Sequence, residues 1–250
     1  IIMFILSFLF FLTAILYSSV GFGGGSTYLA LLLIWGVPYQ IFPFIALGCN
    51  IIVVSGNCFN YIKAGNSNIK LLIPYLLSSI PLAFIGGTLE IDQNIFEILL
   101  FIVLALAGIL LIFKFRTFDE KEIIYKKVPK FISIVVGGSI GFISGVVGIG
   151  GGIFLSPILL LLRADKTKNI ATAASFFILI NSIAGLTGQF TKYFIYEEAQ
   201  KYWPLLLMVL IGGQFGNFLN IKILPVRLLV FLTASLVIFV AIRIGFKLFI

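Results

Sequence analysis

The residues best placed to do chemistry in this chain are glycines and neutral polar side chains. Two clusters, Val20-Gly21-Phe22-Gly23-Gly24-Gly25 and Val147-Gly148-Ile149-Gly150-Gly151-Gly152, repeat one pattern 127 residues apart, each inside an otherwise continuous apolar stretch. Glycine in a helix interior costs about 1 kcal/mol relative to alanine, so such bunching predicts unwound backbone. In a bilayer, unwound backbone is tolerated only where protein covers it or where it lines a cavity, because unpaired N–H and C=O groups in lipid are costly. The chemistry on offer is recognition. Helices restarting at Gly24, Gly25, Ser26 and Thr27 and at Gly151 and Gly152 present unsatisfied N–H groups and about half a positive charge, which suits an oxyanion. The hydroxyls of Ser26 and Thr27 add donors in the first copy, where the second has Ile153 and Phe154. Asn50 and Ser175 occupy matching places in two similar stretches, 46–50 and 171–175, and are expected to complete the shell around a substrate.

Catalysis finds no support in the same inventory. The chain has no histidine, and its nine acidic residues fall in predicted loops or near the ends of apolar segments. No catalytic residue, metal site, cofactor or proton relay is therefore expected. Gly21-x-Gly23 is not a dinucleotide fingerprint, which needs a soluble strand–turn–helix unit and a suitably spaced acidic residue. Cys49 and Cys58 stand too far apart along one helix to bridge each other, and Cys49 reads as a small core residue. Close helix packing is the competing reading for every glycine. It fits Gly86, Gly87, Gly212, Gly213 and Gly216 better than the two clusters, because packing motifs space glycines by four.

The elements that must hold these residues are membrane helices. Of 250 residues, 61% are hydrophobic and 10% charged, whereas soluble domains carry roughly a quarter charged. The net charge of +8 comes from Lys and Arg scattered over short loops without a basic face, which argues against nucleic acid as a partner and for topology signals facing the lipid bilayer. Apolar segments near 1–35, 41–60, 71–89, 95–115, 131–162, 170–190, 203–221 and 226–249 define an all-α polytopic membrane protein. They divide into a first transmembrane repeat over 1–115, a charged connecting loop over 116–130 and a second repeat over 131–250. Each repeat opens with an overlong segment carrying a glycine break. If each break is passed in a single crossing, the repeats are parallel; if each segment turns back as a helical hairpin, they are inverted. Lys and Arg distribute 12 to 5 across the two faces in the first reading and 13 to 4 in the second. Hairpins are favoured because they also account for the excess length, and they put both termini outside.

The run Gly-x-Gly-Gly-Gly followed by Pro157, Ala-x-Ala-x-Ser at 171–175 and Gly-Gly-Gln-Phe-Gly at 212–216 resembles the second half of the sulfite exporter TauE/SafE family, and the first half matches more loosely. The resemblance covers nearly the whole chain. It implies a multi-pass protein of the cytoplasmic membrane that transports small anions, typically sulfur oxyanions or organosulfur compounds. Ala30 stands where the second copy has Pro157, and Cys49 and Asn50 replace small hydroxyl residues, so the first half-site is expected to have its own ligand preferences. The function expected is export or facilitated passage of sulfite or a related anion, with an anion-permeable channel as the alternative.

Overall fold

Among the described residues of the computed structural model, 2–20, 22–63, 65, 69–116, 125–126, 128–192, 198–219 and 226–249, the secondary structure is helical and there is no strand. Gly21 and most of the 116–130 connection lie outside them. The helices are α1 (Ile2–Val20), α2 (Gly25–Ile34), α3 (Phe42–Lys63), α4 (Ile73–Thr88), α5 (Gln93–Arg116), α6 (Lys130–Val147), α7 (Gly152–Leu161), α8 (Thr167–Gln189), α9 (Trp203–Leu219) and α10 (Val226–Phe249). Among the described residues, four stretches, Tyr39–Lys63, Gln93–Leu110, Lys130–Val147 and Asn169–Gln189, are long and apolar enough to cross a membrane, and further apolar helices of 10–17 residues accompany them. Both overlong apolar segments are broken at their glycines, α1 from α2 and α6 from α7.

Packing follows where the small residues are. α4 lies against α6 and α8, α1 against α9, α3 against α8 and α9, α5 against α10, α2 against α3 and α10, and α7 against α5 and α8. On α6, Gly141 sits so close to α4 that a Cβ there would stand 2.5 Å from the Ser79 carbonyl oxygen. On α9, a Cβ at Gly212 would meet the Phe11 carbonyl oxygen at 2.5 Å, and one at Gly216 would meet that of Ile15 at the same distance. These are backbone-to-backbone approaches that only small residues permit, and in lipid they supply association that apolar burial cannot. The contacts also fix direction. Gly137, Gly141 and Gly145 meet Tyr75, Ser79 and Ala83 in ascending order, so α4 and α6 run the same way, as do α1 and α9. α5 and α10 run oppositely, because Gly108 meets Ile238 while Gly245 meets Phe101. Large apolar side chains such as Phe4, Leu77, Phe131, Phe215 and Phe239 are exposed along the outer faces, the pattern of a protein whose solvent there is hydrocarbon.

Candidate substrate site at the two helix breaks

Each half-helix begins at a glycine in the left-handed conformation: Gly24 caps α2 with φ 82° and Gly151 caps α7 with φ 80°. A side chain at either position costs about 1–2 kcal/mol in that conformation, which explains why glycine falls at the same point of both clusters. The intrahelical ladders start only at Thr27 and Tyr28, which donate to the Gly24 carbonyl, and at Phe154 and Leu155, which donate to that of Gly151. The N–H groups of Gly25, Ser26, Gly152 and Ile153 precede those ladders, as the first donors of any helix do.

The two breaks meet. A Cβ on Gly25 would stand 2.7 Å from the Ile149 carbonyl oxygen and 2.8 Å from Asn50 Nδ2, and one on Gly150 would stand 2.7 Å from the same amide nitrogen. Gly23 is likewise closed against Asn50 and Ile178. Asn50 is fully buried in α3, and neither its Nδ2 nor its Oδ1 has a hydrogen-bond partner among the described residues. A buried amide left unsatisfied costs about 1–3 kcal/mol, so its position between two helix N-termini calls for a reason beyond packing. Ser182, on α8 beside Gly150, has a buried hydroxyl that also lacks a partner among the described residues.

Of the residues singled out from sequence, Gly25 and Asn50 come together directly, and Gly152 joins them across Ile178, against which it packs. Ser26 and Thr27 are buried in the first turn of α2, and the Thr27 hydroxyl lies 2.7 Å from that of Tyr17. Gly24 and Gly151 shape the turns, but their Cβ directions lead into packing, towards Tyr17 and Tyr28 for Gly24 and towards Ile140 and Phe177 for Gly151. Ser175 is the outlier. Its hydroxyl donates to the Ala171 carbonyl at 3.1 Å and lies beside Tyr61, eleven residues along α3 from Asn50. Ile178, which touches Gly23, Gly150 and Gly152, holds on α8 the place that Asn50 holds on α3. The sequence match missed this by three residues because a helix face recurs every 3.6.

A cavity of about 690 Å³ opens beyond the breaks, lined by Pro38–Ile41, Pro43, Leu89–Asp92, Phe96, Val146, Lys192 and Glu198. Its inner wall reaches the second break, since a Cβ on Gly148 would meet Pro43 Cα at 2.5 Å. Lys192, read from sequence as a loop charge, is only 7% exposed. Burial pushes its ammonium below the ordinary lysine range, and the nearby Glu90 carboxylate acts against that shift. Glu97, expected near a segment end, is also buried, with Gln93 Nε2 donating to its Oε1 at 2.7 Å. It lies near the start of α5, as expected, but the sequence offered no sign that a carboxylate there is buried. Burial followed from the neighbours of α5, which no local pattern announces.

Apolar helices with lipid-type outer faces and a polar centre built on two unwound breaks define a multi-pass membrane protein. The chain belongs to the family described as sulfite exporter TauE/SafE, which matches residues 6–244. It is similar to a probable membrane transporter protein of Sinorhizobium fredii, 27% identical over 224 residues and 88% of each chain. A probable membrane transporter protein of Methanocaldococcus jannaschii is 28% identical over 243 residues, covering 90% of this chain and 89% of its own. One of Bacillus subtilis is 25% identical over 82% of each. No solved structure matches.

Proposed function

We propose that this chain is a secondary transporter of the cell membrane that exports or facilitates passage of a small anion, sulfite or a related sulfur oxyanion or organosulfur compound, bound where the two helix breaks meet. The observation that carries the reading is the Asn50 amide between Gly25 and Gly150, which has no partner among the described residues. Two half-helix N-termini supply about half a positive charge each, and the neutral donors of Asn50, Ser26 and the first-turn N–H groups bind an oxyanion while letting it leave. Gly24, Thr27, Gly151, Gly152 and Ser175 contribute by shaping the turns and the wall rather than by direct contact.

In this reading 1–115 and 131–250 are inverted repeats joined by the 116–130 loop. Exchanging the halves turns the α4–α6 pairing into α9–α1, α3–α9 into α8–α4 and α2–α10 into α7–α5, and leaves α3–α8 and α5–α10 unchanged. Hairpins are supported from both halves. α1 runs with α9, away from the cavity end, yet Pro38–Ile41 after α2 line that cavity. Arg163, just after α7, accepts a hydrogen bond from the Lys126 N–H at 2.9 Å, which returns the chain to the end where α6 began. The loops 61–70, 114–130, 163–169 and 221–227 then carry 13 of the 17 Lys and Arg and face the cytoplasm, with the cavity and both termini outside.

The test is counterflow in liposomes. Excess unlabelled sulfite inside is expected to accelerate entry of labelled sulfite, as a carrier requires; an absence of exchange with rapid flux identifies a pore and overturns the carrier reading. A thermal-shift screen of sulfite, sulfate, thiosulfate and small sulfonates ranks the substrates.

A further inference from the structure

Resting on the transport reading above, we infer that Lys192 is a second, outer anion-binding point of the path, with Glu90 as the counter-charge that lets the anion go. Lys192 Nζ donates to Gln189 Oε1 at 3.0 Å, and Gln189 Nε2 donates to the Gly145 carbonyl at 3.0 Å. The cation is thereby tethered, through a neutral amide, to the last turn of α6, three residues before the break at Gly148. An amide positions the ammonium without cancelling its charge, which a carboxylate partner would do. The carboxylates around the cavity are otherwise placed: Glu90 and Asp92 are exposed at its mouth, and Glu198 is paired with Lys201 at 2.6 Å. Among the lining residues, the buried charge is the Lys192 ammonium and the charges at the mouth are carboxylates. Burial strengthens the inner charge relative to the solvated outer ones, because water screens exposed groups far more.

An anion moving outward from the Asn50 centre passes Pro43 and Val146 and enters the cavity beside Lys192. Glu90 acts on the same ammonium electrostatically. It sits on the α4–α5 connection, a different element from the one that carries Lys192. The anion and Glu90 thus compete for one cation, so that affinity at this point stays low enough for release.

The experiment measures labelled-sulfite flux through the full chain in proteoliposomes. Lys192→Gln is expected to raise KM about tenfold with kcat little changed, since a hydrogen-bonded charge is lost, and Lys192→Arg is expected to restore most of it. Glu90→Gln, at an exposed site, is expected to lower KM about threefold. An unchanged KM in Lys192→Gln, or Lys192→Arg no better than Lys192→Gln when both elute like wild type, overturns the role of Lys192. If Lys192→Gln aggregates, Glu90→Gln decides alone, and an unchanged KM there overturns the proposal. Wild-type protein that carries no sulfite counts against the transport reading itself, whereas wild-type flux with indifferent variants counts against this inference only.

Discussion

Asn50 is where cost and function can be separated. Its buried amide is unsatisfied among the described residues, so replacing it by leucine, similar in branching and without polar atoms, removes a desolvation penalty of about 1–3 kcal/mol while deleting the proposed central donor. Asn50→Leu is expected to melt at or above the wild-type temperature and to lose anion binding, measured by thermal shift with and without sulfite. A variant that keeps the sulfite-dependent shift removes Asn50 from the site. Gly151→Leu is a poorer probe, because its side chain would enter the Ile140 and Phe177 packing from a left-handed backbone and disturb the fold first. The paired glycines of α9 behave differently from each other. A methyl at Gly212 meets the Phe11 carbonyl oxygen at 2.5 Å, whereas one at Gly213 finds Val53 at an ordinary 3.8 Å. Gly212→Ala is expected to lower the melting temperature and the yield of folded protein, and Gly213→Ala to leave both near wild type.

At the level of elements, the question is which way the half-helices run. Gly25 at the start of α2 and Gly150 just before α7 lie beside the same asparagine; α2 leads on to Pro38–Ile41 at the cavity wall and α7 to Arg163 beside Lys126. Cysteine accessibility reads this out, because native Cys49 and Cys58 are buried and should stay silent. In intact cells, a membrane-impermeant thiol reagent is expected to label a cysteine placed at Gln40 and not one placed at Lys126. The reverse pattern, or labelling at both, contradicts the hairpins. The sequence made the breaks legible because four glycines in one short run exceed what a helix tolerates. It did not make the return direction legible, since either a hairpin or a single crossing satisfies a loop charge count.

For the molecule as a whole, the cavity opens beyond the breaks, whose glycines close against Asn50 and Ile178. In the proposed export, an anion leaving a negative-inside cell gains about 2.3 kcal/mol per charge per 100 mV, a drive that needs no coupled proton. Buried Glu97 is the residue that tests this. With Gln93 already donating to it, Glu97 is read as an anchor of the α5 start, and Glu97→Gln is expected to keep sulfite flux in vesicles at an imposed potential. Flux that follows a pH gradient at zero potential, allowing for the protonation of sulfite itself, and disappears in Glu97→Gln would make Glu97 a proton carrier instead.

By itself the sequence determined the solvent and the breaks. Its 61% hydrophobic composition and segment lengths require lipid, and the spacing of Gly23–Gly25 and Gly150–Gly152 requires unwinding at two points. These are local properties, fixed by each residue's own transfer and conformational free energy. Only the tertiary structure decided that the breaks meet, that Ile178 rather than Ser175 faces Asn50, and that Lys192 and Glu97 are buried. Those facts depend on which helix face turns towards which neighbour, and therefore on backbone contacts such as Gly141 with Ser79 between segments distant in the chain. A pattern of period 3.6 assigns faces within one helix, but the partner of each face is chosen by all the helices packing together.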